Sequence, residues 1–314
     1  MRPIYRQTSK AVKGVALITA MMVMSLATIT AVSMTAEQQV YFRRTENILL
    51  HEQAYLYLLS AEDFAKLILR EDFNDNQVDS YQDIWAQQEA VFPIEGGVLT
   101  GKISDLQGKF NVNNLAKEKL NKWDEERLRK WLVINNLSAD LANAIIDWLD
   151  VDEQARFPDG AEDVDYLQGD RPHRAGNGMM GSISELLYIK GIDYEQYQVL
   201  SKALVALPAT DVAININTAS PQVLQMIIDP LSDSEAEELQ KELAETPLDD
   251  IADVVDHPMI RGKKVDLNGI GIESRYFLLD SFAKVSRASS RMQSVIHRFS
   301  ADDIKVVLRS QGGL

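Results

Sequence analysis

The stretch Gly14–Ala36 reads GVALITAMMVMSLATITAVSMTA, 23 positions without a charged side chain. A helix of that length, rising about 1.5 Å per residue, covers the hydrocarbon core of a bilayer, about 30 Å thick. In front of it, MRPIYRQTSKAVK carries Arg2, Arg6, Lys10 and Lys13 and no acid. Positive charge ahead of an apolar span holds that end in the cytoplasm, so the sequence predicts one pass, N-terminus in, with the rest of the chain across the membrane.

A basic leader followed by an apolar run fits two processing routes with opposite fates for the run. A secretory signal is cut behind it at a small-x-small site, for which Ala31-Val32-Ser33 is the one passable match. A prepilin-type leader is cut in front, after a glycine at the cytoplasmic edge, and keeps the helix. The Lys13-Gly14 pair abutting the apolar run has the second arrangement, while a signal peptide and an uncleaved anchor stay open on these residues alone.

Lys13-Gly14-Val15-Ala16-Leu17-Ile18 resembles the processing site of the K-type minor pseudopilin of type II secretion systems. Most pilin-like proteins carry a Glu at the fifth mature position; counted from Val15 this chain has Thr19, and lack of that Glu is itself a mark of the K-type subunit. Phe110–Leu115 (FNVNNL), Ile214–Ser220 (ININTAS) and Asp147–Asp152 (DWLDVD) followed by Gly160–Asp163 (GAED) extend the resemblance, in the family's order, over most of the chain. It implies an α+β, pilin-like fold, a long N-terminal helix packed on an antiparallel sheet, with a large inserted all-α domain. It also implies removal of the leader after Gly14 by a prepilin peptidase, methylation of Val15, and residence in the inner membrane with the C-terminal domain periplasmic. The implied role is at the pseudopilus tip, where the subunit nucleates assembly with the I-type and J-type minor pseudopilins, other pseudopilins and the inner-membrane secretion platform.

Composition agrees with a membrane-anchored body of one or two domains. The 314 residues are 46% hydrophobic, enough for a real core, and carry a net charge of −15. An acidic surface disfavours nucleic acid and anionic lipid as partners. Cysteine is absent, which removes disulfides and thiolate chemistry and leaves the compartment undecided.

Beyond Ala36 no helix stop appears. Glu37–Arg70 lacks Gly and Pro, and Leu49, Leu56, Leu59, Phe64 and Leu67 form a stripe at helical spacing, interrupted by Glu52 and Asp63. One helix from about Val15 to Arg70, roughly 80 Å long, is expected, its second half lying on the soluble body along that stripe. In the following turn, Asp72, Asn74, Asn76, Ser80 and Asp83 fit an EF-hand frame except at its key points, with Gln77 where the turn needs Gly and Asp83 in place of Glu; a solvated turn is the plainer reading.

The run from Glu95 to Leu115 reads as a hairpin or strand pair, and SRYFLLDSFAKVS, RMQSVIHRFS and DDIKVVLRS give three more strands. Between them lie helical runs, each preceded by a cap-like Ser, Asn or Asp or closed by Gly or Pro, as at Ser220-Pro221. The expected organisation is leader 1–14, membrane half of the helix 15–36, first part of the pilin-like core 37–114, inserted helices 115–269 and C-terminal strands 270–314. Strands at both ends of a helical block close one sheet around an insertion.

The Asn-Thr-Ala-Ser segment also resembles helix-hairpin-helix modules, which makes a membrane-anchored DNA-binding or uptake protein the alternative. Ten acids against one Lys over Leu231–Asp256 oppose it. An enzyme is not expected: the four histidines are scattered and no His-Glu-x-x-His, Gly-x-Ser-x-Gly or phosphate-loop pattern occurs.

Ser138–Asp170 holds ten carboxylates and one base, Arg156. Calcium takes six to eight oxygens at about 2.3–2.6 Å, and such a loop can converge on one; a solvated acidic loop with helix caps stands beside that reading. A regular EF-hand is excluded by Ala155 and Ala161 at the positions that need Gly and Glu. The resemblance implies calcium in this region, and the candidate ligands are Asp150, Asp152, Glu162 and Asp163, with Asp147 and Gln154 as further ones.

Overall fold

The computed structural model of the protein describes residues 14–87, 89–117, 120–169 and 172–311. The expectations for leader residues 1–13, including the basic charges, lie outside these residues. In chain order, α1 (Val15–Asp75) is followed by β1 (Ala90–Ile94), β2 (Gly97–Asp105) and β3 (Phe110–Asn111). Then come α2 (Lys122–Ile134), α3 (Leu141–Leu149), α4 (Asp163–Leu167), α5 (Tyr194–Ala203), β4 (Leu204–Val205), β5 (Ile214–Asn215), α6 (Pro221–Ile227), β6 (Ile228–Asp229) and α7 (Asp233–Glu245). The chain closes with β7 (Lys264–Val265), β8 (Ile270–Gly271), β9 (Tyr276–Val285), β10 (Ala288–Ser300) and β11 (Asp303–Ser310).

The helix α1 runs unbroken for 61 residues, five beyond the expected end at Arg70, and stops where Asn76 turns to extended backbone. Its first half is exposed throughout, as an apolar helix meant for lipid must be in an isolated chain. Its second half lies across an antiparallel sheet of order β1-β2-β9-β10-β11. The β1–β2 hairpin turns at Glu95-Gly96, where Gly96 takes φ 75°. Strand β2 pairs with β9 from Gly97 opposite Val285 to Asp105 opposite Phe277, so the sheet closes across the long insertion. The alternation in YFLLDSFAKV decides which face is covered, burying Phe277, Leu279, Ser281, Ala283 and Val285 under α1.

The face that α1 buries is not the expected one. Ala54, Leu58, Ala65 and Leu69 pack on Leu99, Ile103, Phe277, Leu279, Ala283, Val285 and Ile296; of the expected stripe Leu59 packs at the edge of this cluster and Phe64 meets Phe92 of β1, whereas Leu49, Leu56 and Leu67 stay 54–63% exposed. The alanines allow the helix to sit close on the sheet, where larger side chains would hold it off. Burying Leu58 and Leu69 completely contributes about 1.5–3 kcal/mol each. One acid belongs to the buried face: Glu62 accepts from Arg309 Nε and Nη2 at 2.7 and 2.8 Å and from Ser294 Oγ at 2.6 Å.

The helices between the strands enclose their own core, with Phe110, Leu128, Trp131, Ile145, Leu149, Leu186 and Leu224 among its fully buried members. Local signals start several of them: Ser220 Oγ accepts from Val223 N ahead of Pro221, and Ser232 with Glu235 forms a reciprocal capping box. Three two-residue pairings, β3 with β4, β5 with β8 and β6 with β7, stitch these helices together in addition to the side-chain packing.

Candidate functional site

Helix α3 ends at Leu149, and Asp150 closes it with its N–H on the carbonyl of Ile146, 2.8 Å away. The chain then loops out and returns through Gly160 and Ala161 to Glu162, which precedes α4. Buried Asp147 ties the loop to the helix, its Oδ2 accepting from the backbone N–H groups of Arg156 at 3.0 Å and Ala161 at 2.9 Å. A Cβ at Gly160 would stand 2.2 Å from that oxygen, so the close return of the loop requires glycine. Asn143 Nδ2 donates to the carbonyl of Pro158 at 2.7 Å from the same helix.

This fold-back brings together oxygens of Asp150, Asp152 and Glu162, all within 4.8 Å of one another. Asp150 Oδ1, both carboxylate oxygens of Glu162 and Asp147 Oδ1 are buried without a hydrogen-bond partner among the described residues. Arg156 is distant for a compensating cation, its Nε 3.6 Å from Asp147 Oδ1 and 3.9 Å from Asp150 Oδ2. Burial, then the charges of Asp152 and Asp147, raises the Asp150 carboxyl to about 6. Burial, then the charges of Asp147, Asp150, Asp152 and Asp163, raises Glu162 to about 7. Hard oxygens that crowd together, those of Asp150 and Glu162 short of donors and those of Asp152 on the exposed side, fit a divalent cation such as calcium.

The structure does not bring Asp163 into this group. Its Oδ1 accepts from the N–H of Ala175 at 2.9 Å, and its Oδ2 lies 3.8 Å from Arg174, so it ties down the segment after α4. Gln154 is exposed and donates its backbone N–H to Asp152 Oδ1 at 2.8 Å. Asp147 has one oxygen committed to the loop and one turned toward the group. The EF-hand-like frame holds an internal cation: Asp72 and Asp79 bind the Arg298 guanidinium, and Asp83 Oδ2 accepts from the N–H of Ser80 at 2.6 Å. The pairing of Arg298 with Asp79 has no signal in the sequence, where nothing but tertiary contact connects them.

At the other end of the molecule, Gly14 O accepts from Ile18 N at 3.3 Å and Val15 begins α1. Thr19 turns its hydroxyl onto the carbonyl of Ala16 at 3.0 Å and adds no charge to this end of the helix. On the soluble half of α1, Phe42, Leu49, Leu56 and Leu67 are 54–73% exposed and line the side opposite the sheet.

An apolar span that continues without a break into a sheet-packed helix, with a helical insertion between the second and third strands of that sheet, defines a membrane-anchored pilin-like subunit. The family model described as "Type II secretion system (T2SS), protein K" matches residues 108–209 and 214–273. The type II secretion system protein K of Aeromonas hydrophila is 30% identical, the match covering 96% of this chain and 97% of that protein. The Pseudomonas aeruginosa protein of the same name is also 30% identical, over 96% and 94% of the two chains. The crystal structure of the GspK-GspI-GspJ complex from the enterotoxigenic Escherichia coli type 2 secretion system contains a chain of the same fold. Its TM-score is 0.76 at 24% identity, and the match covers 86% of this chain and 100% of that one. The chain belongs to the type II secretion system protein K family and is a minor pseudopilin of type II secretion.

Proposed function

We propose that this subunit stands at the tip of the type II secretion pseudopilus and nucleates its growth with I-type and J-type minor pseudopilins. The observation that carries this reading is the outer face of α1. It presents Phe42, Leu49, Leu56 and Leu67 opposite the sheet and continues directly into the exposed apolar half. A second helix rising from the same membrane would cover both with one parallel contact. The solved GspK-GspI-GspJ complex supports I-type and J-type subunits as the source of such helices. Thr19, uncharged where other pilin-like proteins carry Glu, suits a subunit with no neighbour above whose terminal amine needs compensation.

Within the same reading, a prepilin peptidase removes residues 1–14 and methylates Val15. The helix holds the subunit in the inner membrane, with the body periplasmic, until the secretion platform draws it into the filament. Calcium bound by Asp150, Asp152 and Glu162, with Asp147 at hand, would neutralise the crowded carboxylates and hold the loop between α3 and α4 against its helix. No group for catalysis enters this account.

The natural chain has no cysteine, which makes a cross-linking test direct. Leu56→Cys should form a disulfide with a cysteine at the matching height of the I-type or J-type helix in membranes of secreting cells. A cysteine replacing Lys284, on the sheet side, should not. Equal cross-linking from both positions, or none from either, contradicts parallel association through the outer face.

A further inference from the structure

A knot of buried polar side chains lies where the helical insertion meets the end of α1. Arg298, on β10 and 2% exposed, is its centre. Its Nη1 donates to Asp72 Oδ2 at 2.7 Å, and its Nη2 donates to both oxygens of Asp79 at 2.5 and 2.6 Å and to the carbonyl of Ser274 at 2.9 Å. The guanidinium sits between the rings of Phe73 and Phe277, 5.3 and 4.7 Å from their centroids.

From this centre the bonds pass through Ser274, on the segment that leads out of the insertion, and then reach the insertion itself at Asn215 and Thr218. Ser274 donates its N–H to Asp79 Oδ2 and its hydroxyl to Asp105 Oδ2, both at 2.6 Å. Asn215 Nδ2 donates to the carbonyl of Asp79 at 2.9 Å and to Ser274 Oγ at 2.8 Å. Thr218 Oγ1 donates to Asp105 Oδ2 at 2.5 Å, and the hydroxyl of Tyr81 donates to the carbonyl of Thr218 at 3.1 Å. The Ile214–Ser220 phrase, distinctive in the sequence, thus supplies two of the side chains that meet the end of the sheet.

The apolar part of this junction is thin. Each body has its own core, and the cluster that spans them has Leu207, Tyr276 and Val295 as its buried members. Apolar contact is non-directional and tolerates rocking, whereas the hydrogen bonds that cross the junction, from Asn215 and Thr218 to Asp79, Ser274 and Asp105 at 2.5–2.9 Å, specify an angle, and Arg298 fixes Asp79 and Ser274 to receive them. We propose that Arg298 is the positioning residue of a buried polar clamp, completed by Asp72, Asp79, Asp105, Thr218 and Ser274, that sets the angle of the helical insertion on the end of α1. With the clamp closed, the insertion and α1 move as one lever; with it open, each stays folded and the insertion swings about the segments at 106–109 and 272–275.

The test is a distance measurement on the full chain in detergent micelles. Nitroxide labels at Glu52→Cys on α1 and Glu195→Cys on α5, both exposed positions, should give one narrow distance distribution by pulsed dipolar spectroscopy. Arg298→Met should broaden it at least twofold while the near-ultraviolet dichroism of the core tryptophans is kept. An unchanged width in folded Arg298→Met overturns the proposal. If that variant loses its tertiary dichroism, Thr218→Val decides: it deletes one bond across the junction and leaves both cores untouched. A broadened distribution in Thr218→Val supports the clamp, and an unchanged one overturns it.

Discussion

Glu162 shows how one residue's surroundings state a requirement. The residue is 4% exposed, its carboxylate oxygens have no hydrogen-bond partner among the described residues, and it feels the charges of Asp147, Asp150, Asp152 and, least, Asp163. Without a cation, the raised carboxyls of Glu162 and Asp150 make the folded state bind protons more tightly than the unfolded one. The stability they contribute therefore falls as pH rises from about 4 through their folded values of about 6 and about 7. Calcium bound at this site would reverse the sign, because it would bind the ionised forms and be displaced as pH falls. Calcium should thus raise the melting temperature at pH 7.5, the loaded and chelated curves should converge toward pH 5, and Asp152→Ala should abolish the difference at every pH. Curves that coincide at pH 7.5 with excess chelator or excess calcium would remove calcium from the account.

The residue composition of the acidic loop was legible in the sequence, but its geometry was only partly so. Ten carboxylates near one arginine announce a charge problem. Which of them share a point depends on the return through Gly160, and that return takes Asp163 away to Ala175 while delivering Glu162. The Arg298 clamp was not legible at all. Its partners Asp79 and Arg298 lie 219 positions apart, and single-chain periodicity carries no signal at that range.

At the scale of elements, the strands could be read because alternation is a local pattern, and the helices because their caps are. The orientation of α1 could not. Apolar side chains occur on two opposite sides of it, and spacing alone does not say which side meets the sheet; the structure gives the sheet the alanine-rich side and leaves the leucine-rich one outward. Glu62 sits on the sheet side because Arg309 on β11 reaches over to it, which also fastens the edge strand to the helix. Arg309→Met should leave Glu62 buried with Ser294 alone and lower the unfolding free energy by about 1–3 kcal/mol, measured by urea denaturation. Replacing both residues, Glu62→Met with Arg309→Met, should recover much of that loss, since the cost lies in the unpaired buried charge. A double variant as weak as the single one would mean that packing, not pairing, sets the loss.

For the whole molecule, three features describe one device: an anchor that continues into the body, an apolar outer face along that anchor, and a bulky insertion at its far end. In the proposed assembly the anchor would keep the subunit in the membrane, the outer face would offer neighbours a parallel contact, and the insertion would overhang the position where another subunit adds. The anchor, and with it parallel assembly from the membrane, depends on keeping the apolar helix, which separates a pilin-like route from a secretory one. The direct measurement is the intact mass and N-terminal peptide of the protein taken from its native membrane fraction. The account predicts a chain beginning at methylated Val15, with Gly14→Ala leaving the uncut precursor. A terminus near Met34 would mean that the helix is discarded, and would contradict assembly through α1.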